Sequence, residues 1–192
     1  MSGIELFIKN IKEVQDGLNA KQAQLIKAVN ATTSDFKSRG PGWISQEVTN
    51  VYTIKKKDVT QSKKAAKTNG KVSIAGVMLN NVEIEYKGSL MTPIHFKMTP
   101  KTRPKKPGYR VSVEIKKGQK VRLPKNVFLA DNKGGTQIPF QRERESRYPI
   151  KAVKTLSVPQ MITNRDTSEN INRRINEELE KRLQHNLERF NK

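Results

Sequence analysis

The chain has 192 residues and a formal net charge of +20, with 34% hydrophobic and 29% charged residues. This length fits one domain, but the small hydrophobic fraction predicts a modest core whose burial is completed by partner surfaces. The absence of cysteine excludes disulfides and thiol chemistry, and no apolar stretch is long enough to cross a membrane. We therefore expect a soluble protein that is made in the cytoplasm and binds no membrane.

The positive charge is concentrated in the middle of the chain. Residues 1–50 contain six basic and five acidic residues, and residues 166–192 contain six of each. Residues 51–165 contain 26 basic and seven acidic residues. Such a segment attracts polyanions, which include DNA, RNA, acidic protein surfaces and anionic lipid.

The first predicted element is a long amphipathic helix over residues 4–30, with a bend possible at Gly17. Its apolar residues recur at spacings of three and four and predict a helix that packs on a core. These residues are Ile4, Phe7, Ile8, Ile11, Val14, Leu18, Leu25, Ile26 and Val29. The sequence SRGPGW at 38–43 predicts a break in the helix. A short helix that Trp43 anchors to the sheet is expected after the break.

A basic segment and then a series of strands follow. The sequence IKKKDVTQSKKAAK at 54–67 predicts a cationic helix or half-helix that faces solvent or phosphate. Apolar and polar residues alternate from Lys71 onwards, which predicts antiparallel strands with one solvated face. The predicted strands are KVSIAGV, VEIEYKG, TPIHFKM, YRVSVEIKKG, QKVRLP, NVFLAD and TQIPFQ, with turns at Asn80–Asn81, Lys117–Gly118 and 132–135.

These elements predict one α+β domain, in which an antiparallel sheet is flanked by a long N-terminal helix and a C-terminal amphipathic helix. Its expected parts are a helical region at 1–70, a β region at 71–146, an extended arm at 147–165 and a terminal helix at 166–192.

Two connections between the strands are rich in lysine and arginine. PKTRPKKPG at 100–108 predicts a projecting loop, and EIKKGQKVR at 114–122 predicts a tight turn. Both can contact a phosphate backbone, although lysine-rich hairpin tips also occur simply to prevent edge pairing. The residues predicted to contact DNA or an acidic partner are Lys55, Lys56, Lys57, Lys63, Lys64, Lys101, Arg103, Lys105, Lys106, Lys116, Lys117 and Lys120.

The segment RYPIKAVKTLSVPQMI at 147–162 is apolar and bracketed by Pro149 and Pro159. It predicts an extended arm that docks on a neighbouring subunit, and the alternative is one more edge strand of the domain. The terminal helix is expected to begin with a capping box of Asp166 and Glu169.

The apolar positions of this helix drift by roughly 100° around its axis. We therefore expect its early part to pack on the sheet and its later part to face a subunit. The predicted interface residues are Tyr148, Ile150, Val153, Leu156, Val158, Ile162, Leu183, Leu187 and Phe190.

Residues for catalysis or for binding a metal or cofactor are scarce. His95 and His185 are the only histidines, and neither has a cysteine or an acid at ligand spacing. The sequence contains no glycine-rich phosphate-binding motif. We expect a protein that is not an enzyme and needs no metal and no cofactor.

The C-terminal fifty residues resemble the minor tail protein Z family, the tail completion proteins of long-tailed bacteriophages. The shared pattern has three parts, which are RYPI at 147–150, Val158-Pro159, and LQH at 183–185 in an amphipathic helix. KAVNATTSDFK and YTIKKKDV are similar to the N-terminal pattern of the family.

The resemblance implies a virion protein at the head-proximal end of the tail, in a homo-oligomeric, hexameric ring that matches the sixfold symmetry of the tail. It implies that the protein completes the tail for joining to a DNA-filled head and contacts DNA non-specifically. The implied partners are the tail terminator, the tail tube and the head connector. The alternatives are a tail terminator or head–tail connector ring, and a free non-specific nucleic-acid-binding protein.

Overall fold

The computed structural model describes residues 22–69 and 81–191. Helices and short strands both occur in these residues, so the predicted α+β class is confirmed. The helices are α1 (Gln22–Val51), α2 (Lys56–Gln61), α3 (Val158–Thr163) and α4 (Arg165–Phe190), and a 3-10 turn covers Pro93–His95. The strands are β1 (Lys63–Asn69), β2 (Asn81–Tyr86), β3 (Lys97–Thr99), β4 (Ser112–Glu114), β5 (Lys120–Arg122), β6 (Val127–Asp131), β7 (Gln137–Arg142) and β8 (Ile150–Ala152). The predictions for residues 4–21 and for the strand at 71–77 fall outside the described residues.

The described strands form three small antiparallel sheets instead of one. β1 pairs with β2, β4 lies between β3 and β5, and β7 lies between β6 and β8. These strands are only three to seven residues long, and loops that contain proline or glycine separate many of them, which prevents one continuous sheet. Gly118 and Gly135 have φ of 78° and 72° at two of the predicted turns, a conformation that glycine adopts without strain.

Helices α1 and α4 pack antiparallel and build the main core. Tyr52, directly after α1, lies beside Thr167 at the start of α4, and Thr32 contacts Asn186 at the opposite end. The expectation that the early part of the terminal helix packs on a sheet is therefore wrong, because α1 supplies an apolar stripe of matching length. The buried side chains of this core include Phe36, Ile44, Val48, Ile171, Ile175 and Leu179.

The predicted break at 38–43 does not occur, since α1 continues through Pro41. A proline inside a helix costs about 3 kcal/mol, so packing has to offset it. Gly40 permits a close approach on this side, because an added Cβ would lie 2.9 Å from Phe36 Cε2 and 3.0 Å from Ile84 Cδ1. The packing of α1 against β2 and α4 holds the helix together through the proline. Trp43 packs beside Phe36, with ring centroids 6.0 Å apart.

The end of α1 is hydrogen-bonded to the sheet β3–β4–β5. The Thr53 N–H donates to the Ile115 carbonyl over 2.9 Å, and the Lys117 N–H donates to the Val51 carbonyl over 2.9 Å. The Lys97 N–H donates to Thr53 Oγ1 over 3.0 Å. These bonds fix the turn between β4 and β5 against the C-terminal end of α1.

A second core lies between the two three-stranded sheets. Met98, Val111, Val127 and Leu129 are buried there. The Leu129 N–H donates to Tyr109 Oη over 2.9 Å, so the tyrosine ties the long loop before β4 to strand β6.

The predicted arm at 147–165 packs on its own chain. Ile150–Ala152 form β8 at the edge of a sheet, as in the alternative interpretation. The Val153 N–H then donates to the Pro139 carbonyl, and the Thr155 N–H donates to the Met91 carbonyl. Because backbone hydrogen bonds hold it along its length, the segment is not free to extend to a neighbour.

The structure decides between the two predictions for the basic segment 54–67 and corrects the prediction for His95. The segment forms a half-helix and not one whole helix, since α2 ends at Gln61 and β1 begins at Lys63. His95 ends a 3-10 turn and not a strand, because Pro93 favours a turn at that point.

The predicted capping box of the terminal helix is also wrong. The capping box lies at Ser157 and Gln160, at the start of α3, whereas α4 begins without a side-chain cap. Among the described residues, every helix is too short or too polar to cross a lipid bilayer.

Candidate polyanion-binding surface and subunit contacts

Two of the predicted basic groups meet where α1 joins the sheet. Lys116 forms a β-bridge with Tyr52, and its ammonium lies 6.0 Å from the centre of the tyrosine ring. Val51 and Thr53 are hydrogen-bonded to the sheet. The lysines Lys55, Lys56 and Lys57 follow them closely, at the start of α2. We call this group of five lysines the junction surface, and its members are Lys55, Lys56, Lys57, Lys116 and Lys117. All of them are exposed except Lys116, which is half-buried on Tyr52.

The two carboxylates near the junction are mostly buried and interact with other groups. The Asp58 carboxylate is 14% exposed and lies 3.4 Å from His95 Nδ1. The Glu114 carboxylate is 15% exposed and lies 3.0 Å from Lys97 Nζ, and it also accepts a hydrogen bond from the Gly118 N–H over 2.9 Å. This N–H and the Lys97 ammonium lower the pKa of Glu114.

Four of the five lysines therefore face solvent, and the nearby carboxylates of Asp58 and Glu114 are bound to other groups. In the part of the chain that the structure describes, no carboxylate lies within ion-pair distance of any of them. Their field is not neutralised locally, which is the condition for attracting a polyanion.

The remaining predicted basic residues lie elsewhere. Because β3 and β4 are antiparallel, the loop at 100–108 lies at the opposite end of this pair from the turn at Gly118. The Arg103 N–H donates to Gln137 Oε1 over 2.6 Å, which holds the loop near β7. The basic residues of this loop are all exposed, and these are Lys101, Arg103, Lys105 and Lys106. Lys63 and Lys64 begin β1, and Lys120 lies on the exposed strand β5.

The structure buries several of the predicted interface residues within the chain. Val158, Ile162 and Leu183 are 1%, 5% and 7% exposed, so they offer almost no surface to a neighbour. Val158 and Ile162 of α3 belong to the main core, and Leu183 is buried on α4, which the sequence pattern alone did not reveal. Val153 packs on the second core and Leu156 on the main core.

The other predicted interface residues retain accessible surface. Tyr148 is 64% exposed, and the Arg147 guanidinium lies 5.7 Å from the centre of its ring. Ile150 is half-buried on β8, and Leu187 and Phe190 are half-buried near the end of α4.

The structure adds an apolar surface that sequence reasoning missed. Phe128 pairs with Phe140 across β6 and β7, with ring centroids 6.5 Å apart. Ile150 and Ala152 continue this face on β8, and the Arg142 guanidinium lies 5.4 Å from the centre of the Phe128 ring. We call these four apolar residues the outer sheet face. The sequence VFLA contains the signal, since an apolar residue at every position predicts a strand that is apolar on both faces.

An open cleft of about 620 Å³ borders the outer sheet face. Its lining includes Phe128, Lys125, Arg142 and Arg144, together with Glu143 and Glu145. The cleft therefore combines an aromatic wall with a rim of mixed charge.

Groups that could support catalysis or hold a metal are sparse. Within the described ranges, no three side chains of histidine, cysteine, aspartate or glutamate gather closely enough to hold a metal ion. His95 faces Asp58, and His185 is exposed on α4. Another open cleft, of about 360 Å³, is lined by residues that include Ser62, His95 and Lys154.

Comparison with known proteins identifies the family. The family model for prophage minor tail protein Z matches residues 1–192. The chain belongs to this family. Minor tail protein Z is a structural protein of the phage tail, so this chain is a virion component that interacts with other tail or virion proteins. Structural tail proteins are generally not enzymes. No curated protein and no solved structure is similar enough to match the chain.

Proposed function

We propose that the chain is the tail completion subunit of its phage, and that it forms a ring at the head-proximal end of the tail and supports the joining of tail and head. The family match over the whole length carries this proposal. A ring around the tail axis, in six copies as in the tail itself, is the arrangement that the resemblance implies.

Accessible apolar side chains support the ring. Tyr148 is largely exposed, and the outer sheet face is only partly covered, although Ile138 beside it is buried. Identical subunits around an axis need two different complementary surfaces on each copy, since the contact is head-to-tail. Tyr148 and the outer sheet face provide apolar surface for one of these two contacts.

The junction surface supports non-specific contact with DNA in the channel of the ring. Four of its five lysines are exposed, and the nearby carboxylates of Asp58 and Glu114 are bound to His95 and Lys97. Lysine side chains that are not arranged to read base edges bind the phosphate backbone without sequence preference. The DNA that passes from head to tail is the polyanion that the proposed position offers.

The assembly experiment uses phage that lacks this chain, complemented with wild-type or variant protein. We expect the complemented phage to yield joined particles, and the uncomplemented phage to accumulate unattached heads and tails in negative-stain images. Normal numbers of joined particles without the chain would contradict the proposal. The mass of the purified chain in solution separates the ring from a free nucleic-acid-binding monomer.

A further inference from the structure

The outer sheet face is apolar on a side of the sheet that neither core covers. Val127 and Leu129 of β6 point into the second core, so Phe128 between them points away from it. Phe128, Phe140, Ile150 and Ala152 share this opposite face. None of the four belongs to a hydrophobic core formed by the described residues, and each of them is half-buried.

We propose that the outer sheet face binds residues 4–18 of a second copy of the chain. This sequence segment carries apolar residues at helical spacing, which are Ile4, Phe7, Ile8, Ile11, Val14 and Leu18. It lies outside the described residues, and a stripe of this kind needs an apolar surface to cover it. The exposed side of α4 cannot serve, because its outward residues are polar or charged, as at Glu177, Lys181 and Gln184.

Charge complements the apolar match. The segment contains three acidic residues, Glu5, Glu13 and Asp16, and two lysines. The cleft beside the outer sheet face presents Lys125, Arg142 and Arg144, of which none has a described carboxylate within ion-pair distance. Two acids also line the cleft, of which Glu143 pairs with Lys151 and Glu145 is exposed, so the lining keeps an excess of positive charge. Acidic residues that flank an apolar stripe therefore meet arginine at the edge of the sheet.

The second copy follows from the proposed ring. In a head-to-tail ring each subunit contacts two neighbours through two different surfaces, and the N-terminal segment and the outer sheet face supply one such complementary pair. Docking of the segment on its own chain is the competing arrangement, and a variant with both cysteines distinguishes the two.

This contact deepens the proposed ring and depends on it for the presence of a second copy. Each subunit would donate its segment to one neighbour and accept a segment from the other. Such a head-to-tail contact closes into a ring when the rotation between subunits divides a full turn.

The test is cysteine pairing between full-length chains, since the natural sequence has no cysteine. One preparation carries Lys12→Cys, a second, distinguished by a mass tag, carries Asn126→Cys in the cleft, and the two are mixed under mild oxidation. We expect disulfide-linked pairs of the two different chains. The control mixture carries Gln184→Cys on α4 in place of Asn126→Cys. We expect the yield of disulfide-linked pairs in the test mixture to be higher by about tenfold or more, because docking raises the effective concentration of the thiols.

The oligomeric mass gives an independent readout. We expect Phe128→Asp to lower the mass of the oligomer to that of a monomer, while Val121→Asp on the exposed strand β5 leaves it unchanged. Because Phe128 also contributes to its own sheet, Phe7→Asp tests the same contact from the other side.

The outcomes separate this inference from the proposed ring. An oligomer that persists in Phe7→Asp, or equal yields in the test and control mixtures, would overturn the docking inference and leave the ring standing. A disulfide within one chain, in a variant that carries both Lys12→Cys and Asn126→Cys, would overturn the exchange between copies. A wild-type chain that stays monomeric at the concentrations found in assembling cells would overturn both the inference and the ring.

Discussion

Gly40 and Gly42 lie two residues apart in α1 but have very different surroundings. An added Cβ at Gly40 would lie 2.9 Å from Phe36 Cε2, inside a fully packed core. At Gly42 nothing lies within 4 Å of an added Cβ. The same substitution therefore separates the intrinsic helix preference of alanine from the cost of crowding.

We expect Gly40→Ala to lower the free energy of unfolding by about 1–3 kcal/mol, because the buried Phe36 ring cannot move away without disturbing its neighbours. Gly42→Ala should raise it by about 0.5–1 kcal/mol, since alanine loses less backbone entropy than glycine in a helix. Urea unfolding of the two variants measures both changes. Stabilisation by both substitutions would show that α1 is not tightly packed at Gly40.

Glu114 makes the stability of the junction depend on pH. The Gly118 N–H and the Lys97 ammonium lower its pKa in the folded chain. A carboxyl with a lowered folded-state pKa contributes stability above its unfolded pKa of about 4.3. This contribution disappears as the pH falls through the folded-state value.

We expect Glu114→Gln to be less stable than the wild type at neutral pH, and the difference to shrink as the pH falls below about 4.3. The measurement is the free energy of unfolding of both proteins across this pH range. Lys97→Gln should move the decline in stability to higher pH, since it removes one of the groups that lower the pKa of Glu114. A constant difference at all pH values would refute this account.

At the scale of elements, a buried polar contact sets how α1 and α4 align. Asn186 is 2% exposed, and its Nδ2 donates to Thr32 Oγ1 over 3.1 Å and faces Asp35 Oδ2 at 3.4 Å. Thr32 Oγ1 in turn donates to the Ala28 carbonyl over 2.8 Å. A single polar contact between apolar helix faces penalises every other alignment, because a shift would leave its groups buried without partners.

We expect Asn186→Ala to lower the free energy of unfolding by about 1–3 kcal/mol, because the buried Thr32 hydroxyl then loses the donor that it accepts from. The exposed neighbour Gln184 is the control, and Gln184→Ala should change stability by no more than about 0.5 kcal/mol. Thermal and urea unfolding measure both variants. Equal decreases in stability for Asn186→Ala and Gln184→Ala would show that the buried contact contributes no more than an exposed side chain.

The sequence predicts these elements where the determinants are local. The spacing from Ile171 to Phe190 predicts α4, and the Asn132–Gly135 turn follows from residues that favour it. The continuity of α1 through Pro41 depends on Ile84 and α4, which lie far away in sequence, so local rules predict a break. Local rules likewise leave open a helix through residues 63–67. These residues form strand β1 instead, because they pair with β2.

At the scale of the whole molecule, composition predicts the charge but not its arrangement. The excess of lysine and arginine in residues 51–165 by itself indicates a polyanion or an acidic partner. The arrangement depends on the hydrogen bonds between the end of α1 and the segment after β4. These bonds place Lys116 beside Tyr52, in the same segment as the inward-facing Glu114. The outer sheet face is not predicted by alternation, because alternation gives each strand only one apolar face.

We expect replacement of the five lysines of the junction surface by glutamine to weaken binding to double-stranded DNA at low salt and to flatten its dependence on salt. The slope of log affinity against log salt should fall by about 0.9 for each phosphate that the protein no longer neutralises. Fluorescence anisotropy with a labelled duplex at several salt concentrations measures this slope. Gln variants of the basic loop at 100–108, and of exposed Lys27, Arg173 and Lys181 on the helices, are the controls.

The junction variant loses five charges and the helix variant three, so equal changes in slope per charge removed would show that net charge alone, and not the junction surface, determines binding. A larger decrease in affinity for the loop variant than for the junction variant would move the DNA-binding site to Arg103 and its neighbours.

The place of α4 in the main core also governs when the chain can fold during synthesis. Ile171 and Ile175 are completely buried against α1, although all of the described strands separate the two helices in sequence. The growing chain cannot close this core until α4 has left the ribosome. A product of early termination would thus expose the apolar side of α1, and we expect it to be open to proteolysis.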